Sequence, residues 1–476
     1  MSRAKSILIP ACLLAVRAAW GADGGDVRLL FTGDILLSRQ VRNEIERTRR
    51  FPWEPFATLF HQADWVAGNL EGAVGQPQEC APEASASPCF DIPPALIPLL
   101  ARAGFRALGT ANNHAGDLGS RGRDATRQAL VLAGLGVLSF EASPVFVTAG
   151  GRTLAVIALS TVPARDGSRT EIPSTELRQK LRLAKGLSDL VVVFAHWGSE
   201  LLEWPDTRQR AAAAWLVRNG ADLVVGHHPH VVQTAECVSG RPVFYSLGNH
   251  LFDQKYPAAK QGLIADCRLH GNVLRCGGLP TMAPPGSAFP QLSQDGNAGA
   301  TDALATCPVN LTGPDSVGGV SLRGRSVEGD GDLAYAMEGS RTGSRTWRSA
   351  AMPLVSVQTG KLKGADGPDY VFTLERRRST IDGEDGLRPY VYEAGPKGLV
   401  ARWRGSALAW PLLDAALLPG RDGLLCALHR RDSFVVLQPD SAGVRTAVYR
   451  WNGFGFSGVE DASALAACRE LFQAER

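Results

Sequence analysis

Five apolar runs in the first half of the chain each end in a turn that carries acids, amides or histidines. They are VRLLFTGDILLS (27–38), DWVAGNLEGAV (64–74), FRALGTANNHAGD (105–117), LVVVFAHWGSE (190–200) and ADLVVGHHPHVVQ (221–233). Short unbroken apolar runs bounded by turn signals read as strands buried on both faces. TLAVIALS (153–160), LIADCRL (263–269) and PVFYSLGNHLFD (242–253) add further strands, the last running into a turn. Helix-like segments lie between them. The pattern predicts a charged helix over 40–50 and a short one over 93–104 that stops at Gly104, glycine being a favoured helix stop. A third spans 120–134 with Ser120 as N-cap, and an alanine-rich one spans 206–220 and ends in Asn219-Gly220. Repeated strand, turn and helix predict an α/β unit over 26–276 with a largely parallel sheet.

After Cys276 the pattern weakens. Residues 277–364 are rich in Gly, Ser, Pro and Asp and read as a loop-like insert or linker. From 365 to 476, short β-rich runs alternate with turns, which predicts an antiparallel β-rich accessory domain. LVARWRGSALAWP and AVYRWNGFGF are loosely alike, as blades of a propeller are, but two such units cannot close one. Trp403, Trp410 and Trp451 are candidates for a glycan or polymer surface, although burial in the core is the commoner fate of an aromatic side chain.

Composition narrows the picture. At 476 residues with 45% hydrophobic and 20% charged positions, the chain can build two or three real cores. A net charge of +3, with no basic run interleaved with aromatics, argues against nucleic acid as a partner. Arg3 and Lys5 precede the apolar ILIPACLLAV, and small residues follow at Ala18, Ala19, Gly21 and Ala22. That order reads as a cleaved secretory signal over 1–22 and a periplasmic or secreted protein. The run is too short to span a bilayer, and no transmembrane segment follows. Lipidation at Cys12 is disfavoured by Pro10 and by the short stretch before it. Eight cysteines remain, an even set that suits disulfides in an exported protein. Cys80 with Cys89 and Cys426 with Cys468 are the expected pairs, while Cys237, Cys267, Cys276 and Cys307 sort among themselves. The absence of any CxxC pair argues against a structural zinc site.

Parallel sheets place ligands just past the carboxyl ends of their strands. Asp34, Asn69, Glu71, Asn113, His114, His196, His228 and His230 can therefore converge on one crevice. Carboxylate, carboxamide and imidazole donors together suit a divalent transition metal. In GHHPH, an extended backbone would put His228 and His230 on one side and His227 on the other. Asn69 and Glu71, two apart, share a face in the same way, and Glu71 is the candidate bridging carboxylate. Asp34 either binds the metal or caps the next helix. Asn113 would bind through its amide oxygen. His114 is better placed to protonate a leaving oxygen, and Asp117 either orients it or caps a helix.

At these residues the chain resembles the CapA family of capsule and poly-γ-glutamate synthesis proteins. The resemblance rests on TGDILLS, GNLEG, ANNHAGDLG, AHWGSE, GADLVVGHHPHVVQ and FYSLGNHLFD, in the family's order, and covers roughly residues 27–267. It implies a metallophosphoesterase-like β-sandwich of two mixed sheets flanked by helices. It also implies that Asp34, the GNLEG turn, Asn113, His196, His228 and His230 are ligands and His114 the catalytic histidine. Two positions depart from the wider phosphoesterase pattern. Leu36 stands where Asp-x-His would supply a histidine, and Asn69 with Glu71 stand where the second turn carries aspartate. One or two ions of Mn, Fe or Zn follow from the resemblance. So does a metal-dependent hydrolase that cleaves a phosphoester or a γ-glutamyl amide while a surface polymer is made, exported or released, with capsule-assembly proteins as possible partners. The alternatives are a non-catalytic polymer-handling module with a structural metal, and a periplasmic phosphodiesterase. His250, beside the SLGN turn, is a further candidate for extending the site.

Overall fold

The computed structural model describes residues 26–76, 80, 88–293, 298–327, 334–341, 345–364, 367–378, 385–405, 408, 411–430 and 443–473. The expected signal segment with Cys12, and Trp410, lie outside the described residues. The chain begins with β1 (Val27–Leu36), α1 (Arg39–Thr48), α2 (Ala57–Gln62), β2 (Trp65–Glu71), β3 (Ala73–Val74) and β4 (Asp91–Ile92). Next come α3 (Ile97–Ala103), β5 (Ala107–Gly109), α4 (Gly119–Leu132), β6 (Gly136–Leu138), β7 (Val145–Ala149) and β8 (Arg152–Ser160). Then follow α5 (Thr175–Leu187), β9 (Leu190–His196), α6 (Thr207–Arg218), β10 (Leu223–His227), β11 (Ala235–Val238), β12 (Arg241–Phe244) and β13 (Asn249–Leu251). A long hairpin, β14 (Gln261–His270) and β15 (Val273–Met282), closes this part, with β16 (Gln291–Leu292) and β17 (Val309–Asn310) beside it.

These strands form two mixed sheets. In the first, β1, β2, β5 and β6 run parallel, β13 pairs parallel to β1, and the antiparallel β14 and β15 extend the other edge. In the second, β12, β10, β9 and β8 are parallel between antiparallel edges β11 and β7. The period of two in each strand assigns the layers. Leu29 and Phe31 of β1 face the second sheet, where Phe31 meets Phe194 at 5.8 Å, while Leu30 and Ile35 face a separate apolar cluster with residues of α1, α2 and α3. Leu181, Ala213 and Leu216, from α5 and α6, cover the far side of the second sheet. The result is a β-sandwich of mixed sheets flanked by helices. Each fully buried large apolar side chain in it contributes roughly 1.5–3 kcal/mol.

Register brings the strand ends together. Asp34 lies opposite Asn69 of β2 and Asn249 of β13, and His196 of β9 opposite His227 of β10. Two glycines allow the close approach. A Cβ on Gly33 would collide with the Gly248 carbonyl oxygen, and one on Gly226 with that of Tyr245.

Several expectations are corrected. Helix α4 starts at Gly119 behind Leu118, with no side-chain cap, so Ser120 lies inside the helix and is not its N-cap. Residues 277–364, expected as loop, carry part of β15, the small strands β16 and β17 and a four-stranded antiparallel sheet. That sheet is formed by Ser316–Val317, Val320–Val327, Ala334–Ser340 and Trp347–Arg348. Val320, Leu322 and Gly324 alternate inward with polar residues outward, a period of two that the polar composition obscured. Two further four-stranded antiparallel sheets follow, over Leu354–Arg404 and Leu412–Gly458, and a last helix, α7 (Ala462–Gln473), packs on the second. Trp451 is buried in the core they share, and Trp403 is half-buried against Phe456 at 5.4 Å. Gln179 and Arg182 of α5 both bond to the buried Asp414, which fastens these sheets to the sandwich.

The four disulfides are Cys80–Cys89, Cys237–Cys307, Cys267–Cys276 and Cys426–Cys468, so the middle four cysteines resolve into one long-range and one hairpin link. No helix among the described residues is long and apolar enough to cross a membrane.

Candidate metal centre

The carboxyl ends of β1, β2, β9 and β10 meet at one buried crevice. Asp34, Asn69, Glu71, His196, His228 and His230 are all at most 5% exposed there, a density of polar groups that the interior tolerates only if they are partnered or bind something. Asn69 is the hub. Its Nδ2 lies 2.8 Å from Asp34 Oδ1, 3.3 Å from Glu71 Oε1 and 3.3 Å from His196 Nδ1. On its other side His196 Nε2 is 2.8 Å from Asn113 Oδ1. His230 Nδ1 sits 3.1 Å from Asp34 Oδ2 and 2.9 Å from Asn249 Oδ1.

GHHPH delivers both imidazoles by a different route from the one its spacing suggests. Strand β10 stops at His227, and His228 and His230 adopt left-handed backbone with φ of 97° and 58°. The two rings lie 6.0 Å apart across this turn, not on one side of an extended segment. Non-glycine residues held in this region cost of order 1–3 kcal/mol each and cluster where function demands them. His227 does turn away: its Nε2 is 3.2 Å from the Thr32 carbonyl oxygen.

Burial and charge set the protonation of the crevice. Burial pushes His228 down to about 3, helped by the neighbouring His230, so it stands as a neutral imidazole. Burial likewise holds His196 well below the usual histidine range, with His228 adding to it. Burial also acts against a proton on His230, but the charge of Glu71 and the hydrogen bond and charge of Asp34 outweigh it and raise the ring to about 9. Glu71 is itself pushed up, chiefly by burial, with the charge of Asp34 adding to it against the opposing charge of His230. The negative potential of Asp34 and Glu71 that favours the proton on His230 would equally hold a cation.

The donors fit a divalent metal. Asp34, Glu71 and His196 each place a ligand atom within 4.8 Å of the others, and Glu200, His228 and His230 form a second such group. Glu71 Oε2 and His228 Nδ1 are buried with no hydrogen-bond partner among the described residues, atoms whose desolvation a ligand would offset. Leu36 is fully buried in the apolar cluster on the outer side of β1 and offers no donor.

Beside these groups stands a second unit. His114 Nδ1 is 2.9 Å from Asp117 Oδ2, and that oxygen also accepts the Phe90 backbone N–H at 2.7 Å. Arg165 Nε lies 3.0 Å from Asp117 Oδ1. The Phe90 ring stacks on the His114 imidazole with centroids 3.9 Å apart. With Nδ1 held by a carboxylate, Nε2 is left to exchange a proton. Asp117 thus orients His114, and helix α4 begins without it.

Four residues at the crevice were not singled out by sequence. Asn112 donates 3.1 Å to Asn69 Oδ1 and 2.8 Å to the Leu70 carbonyl, fixing the hub. Asn249 orients His230, Glu200 completes the second donor group, and Phe90 packs on His114. Asn112 and Asn249 stand in the turns ANNH and SLGN, where amides just past apolar runs were the available signal. His250 does not extend the site: it points away from Asn249 into a cage of Phe56, Phe60 and Phe105.

The family described as bacterial capsule synthesis protein PGA_cap matches residues 28–254, a span that holds all of these donors. The PGA biosynthesis protein CapA of Bacillus subtilis is 30% identical over 257 residues, covering 51% of this chain and 67% of that protein. The capsule biosynthesis protein CapA of Bacillus anthracis is 30% identical over 263 residues, covering 51% of this chain and 64% of that protein. This chain therefore spans about two thirds of the length of these relatives. A probable polyglutamine synthesis accessory protein of Mycobacterium tuberculosis is 26% identical over 268 residues, covering 50% and 70%. Among solved structures, a novel phosphatase from Mycoplasma pneumoniae overlaps 54% of this chain and 94% of its own at 15% identity and a TM-score of 0.37, a likeness too weak to carry over any chemistry.

Proposed function

The chain belongs to the bacterial capsule synthesis protein family, and from that premise we propose that it is an exported, metal-dependent hydrolase serving the synthesis, export or release of poly-γ-glutamate or a related surface polymer. The observation that carries this reading is the adjacency of two units: a buried donor set in which Glu71 Oε2 and His228 Nδ1 have no hydrogen-bond partner among the described residues, and an oriented His114–Asp117 pair. Asp34, Glu71, His196, His228 and His230 would hold the metal, with Asn69 and Asn113 as amide donors. A divalent cation supplies Lewis-acid polarisation of the scissile group and a lowered water pKa. His114 holds a proton at Nε2 for the leaving group, and Asp117 and Phe90 keep the ring in place. The resemblance to capsule and poly-γ-glutamate synthesis proteins favours a γ-glutamyl polymer, so an amide is the first bond to test and a phosphoester the second.

Leu36 favours a second reading, a polymer-handling module whose metal is structural, because it removes one expected donor. Elemental analysis of the purified protein beside a His228→Ala/His230→Ala variant separates the possibilities when joined to a hydrolysis screen with His114→Ala. Metal lost in the double variant, and turnover lost but metal kept in His114→Ala, is the expected result. Metal without any turnover of γ-glutamyl amides or phosphodiesters supports the module. No metal in folded, chelator-free protein refutes both.

A further inference from the structure

At the rim of the crevice, Arg39 is built into an unusual position. It opens α1 with φ of 50°, a left-handed conformation that a long side chain adopts at a cost. Its Nε and Nη2 both bond to Asp253, which also accepts the Gln40 backbone N–H at 3.2 Å. The guanidinium lies 4.7 Å from the Phe90 ring centroid and 6.0 Å from that of Phe252. These are the rings that pack on His114 and on His230, at 3.9 and 4.7 Å. One aromatic ring therefore separates the cation from the proton-carrying histidine, and one separates it from the donor set.

Asp253 takes only one edge of the fork. A guanidinium has five N–H donors, and Nη1 makes no hydrogen bond among the described residues. The side chain remains 37% exposed, while Asp253 is 3% exposed. A guanidinium fixed on one edge by a buried carboxylate, lying over the Phe90 ring with Phe252 beside it and open on the other edge, is preorganised for an oxyanion. Packing alone would not require the open edge or the strained backbone.

We propose that Arg39 is the substrate-anion grip of this crevice, its open edge taking a carboxylate or phosphate oxygen of the substrate beside the bond that His114 serves. This rests on the crevice being the reacting site, and it makes the substrate anionic next to the scissile bond. In a γ-linked glutamate chain that anion is the free α-carboxylate; in a phosphoester it is a phosphoryl oxygen.

The test is calorimetric titration of three probes into the intact wild type, Arg39→Gln and Arg39→Lys. The probes are γ-linked triglutamate, its α-carboxamide counterpart and inorganic phosphate. Charge-assisted hydrogen bonds of this kind correspond to a loss on the order of 10- to 100-fold in affinity. The expected result is such a loss for an anionic probe in Arg39→Gln, a smaller loss in Arg39→Lys, which keeps the charge without the fork, and no change for the carboxamide. A loss for triglutamate alone assigns a polycarboxylate, and a loss for phosphate alone a phosphoester. Equal affinities in wild type and Arg39→Gln overturn the proposal, as does a wild type that binds neither anion; should Arg39→Gln not fold, Arg39→Lys matching wild type overturns it. Metal content measured on the same samples keeps the two readings apart: metal retained without anion binding refutes the role of Arg39 alone, whereas anion binding without metal refutes the hydrolase.

Discussion

Replacing His250 with leucine should change stability little near neutral pH and raise it relative to wild type in acid. The ring is buried among Phe56, Phe60 and Phe105, and neither nitrogen finds a partner among the described residues. Burial alone pushes its pKa from 6.5 to about 3. Between those values the unfolded chain binds a proton that the folded one refuses. Stability is therefore complete above about pH 6.5 and is lost as pH falls toward 3. At pH 5 the loss from this one residue is about 2 kcal/mol, at 1.36 kcal/mol per unit of separation. At pH 7.5 leucine removes two desolvated nitrogens, a gain of roughly 1–3 kcal/mol. It forfeits ring contacts worth about 0.5–1.5 kcal/mol each, so the net effect there is small. The decisive quantity is the change in the difference between variant and wild type. Urea unfolding followed by tryptophan fluorescence at pH 7.5 and 5 should show the advantage of His250→Leu growing by about 2 kcal/mol, since the other histidines are common to both proteins and cancel. Parallel curves for the two proteins across this range would refute the assignment of a neutral, unpartnered ring.

Two further outcomes are expected. Asp117→Asn should lower hydrolysis by about 10²-fold or more, through loss of the carboxylate that orients His114, while metal content stays at the wild-type level; loss of metal instead would mean that Asp117 belongs to the donor set. Gly226→Ala should cost about 2–4 kcal/mol in urea unfolding, because its Cβ would collide with the Tyr245 carbonyl and must push β10 from β12; a change under about 0.5 kcal/mol would contradict the close approach.

The sandwich was legible because its central strands are buried on both faces and therefore read as unbroken apolar runs. LVVVFAH needed no alternation to be read as a strand: every residue of β9 from Leu190 to His196 is buried, as a strand covered on both sides requires. The same logic failed beyond residue 276. There the strands are short or half-exposed, and Val320–Val327 shows its inward set only in every second position among Ser, Arg and Gly. Composition over a wide window outweighed that alternation. The alanine-rich helix over 206–220 was legible from its composition and its Asn219-Gly220 stop, and Asp206 with its reciprocal Gln209 caps it; α5 was missed although Ser174 caps it, and the start of α4 was misplaced because Leu118 precedes the helix and nothing caps it.

The donor set was legible as chemistry and not as geometry. His228 and His230 converge, but through two left-handed residues, a conformation that spacing does not encode. Asn112 and Asn113 are the same side chain in adjacent positions. Which of them fixes Asn69 and which faces His196 depends on how the chain turns after β5; sequence picked out Asn113, which faces His196, and passed over Asn112, which fixes Asn69. The pattern of what was missed is physical. Asn112, Asn249 and Phe90 act through other residues, and the demand for them arises only once Asn69, His230 and His114 have been buried and must be held against the cost of desolvation. A ligand announces itself by its own chemistry, whereas its support is specified by the site it supports. Leu36 makes the converse point. Two residues from Asp34 it stands where the wider phosphoesterase pattern has a histidine, and it is packed in the apolar cluster behind β1, so the donor set here is built without that position and a metal would rest on Asp34, Glu71, His196 and the GHHPH turn.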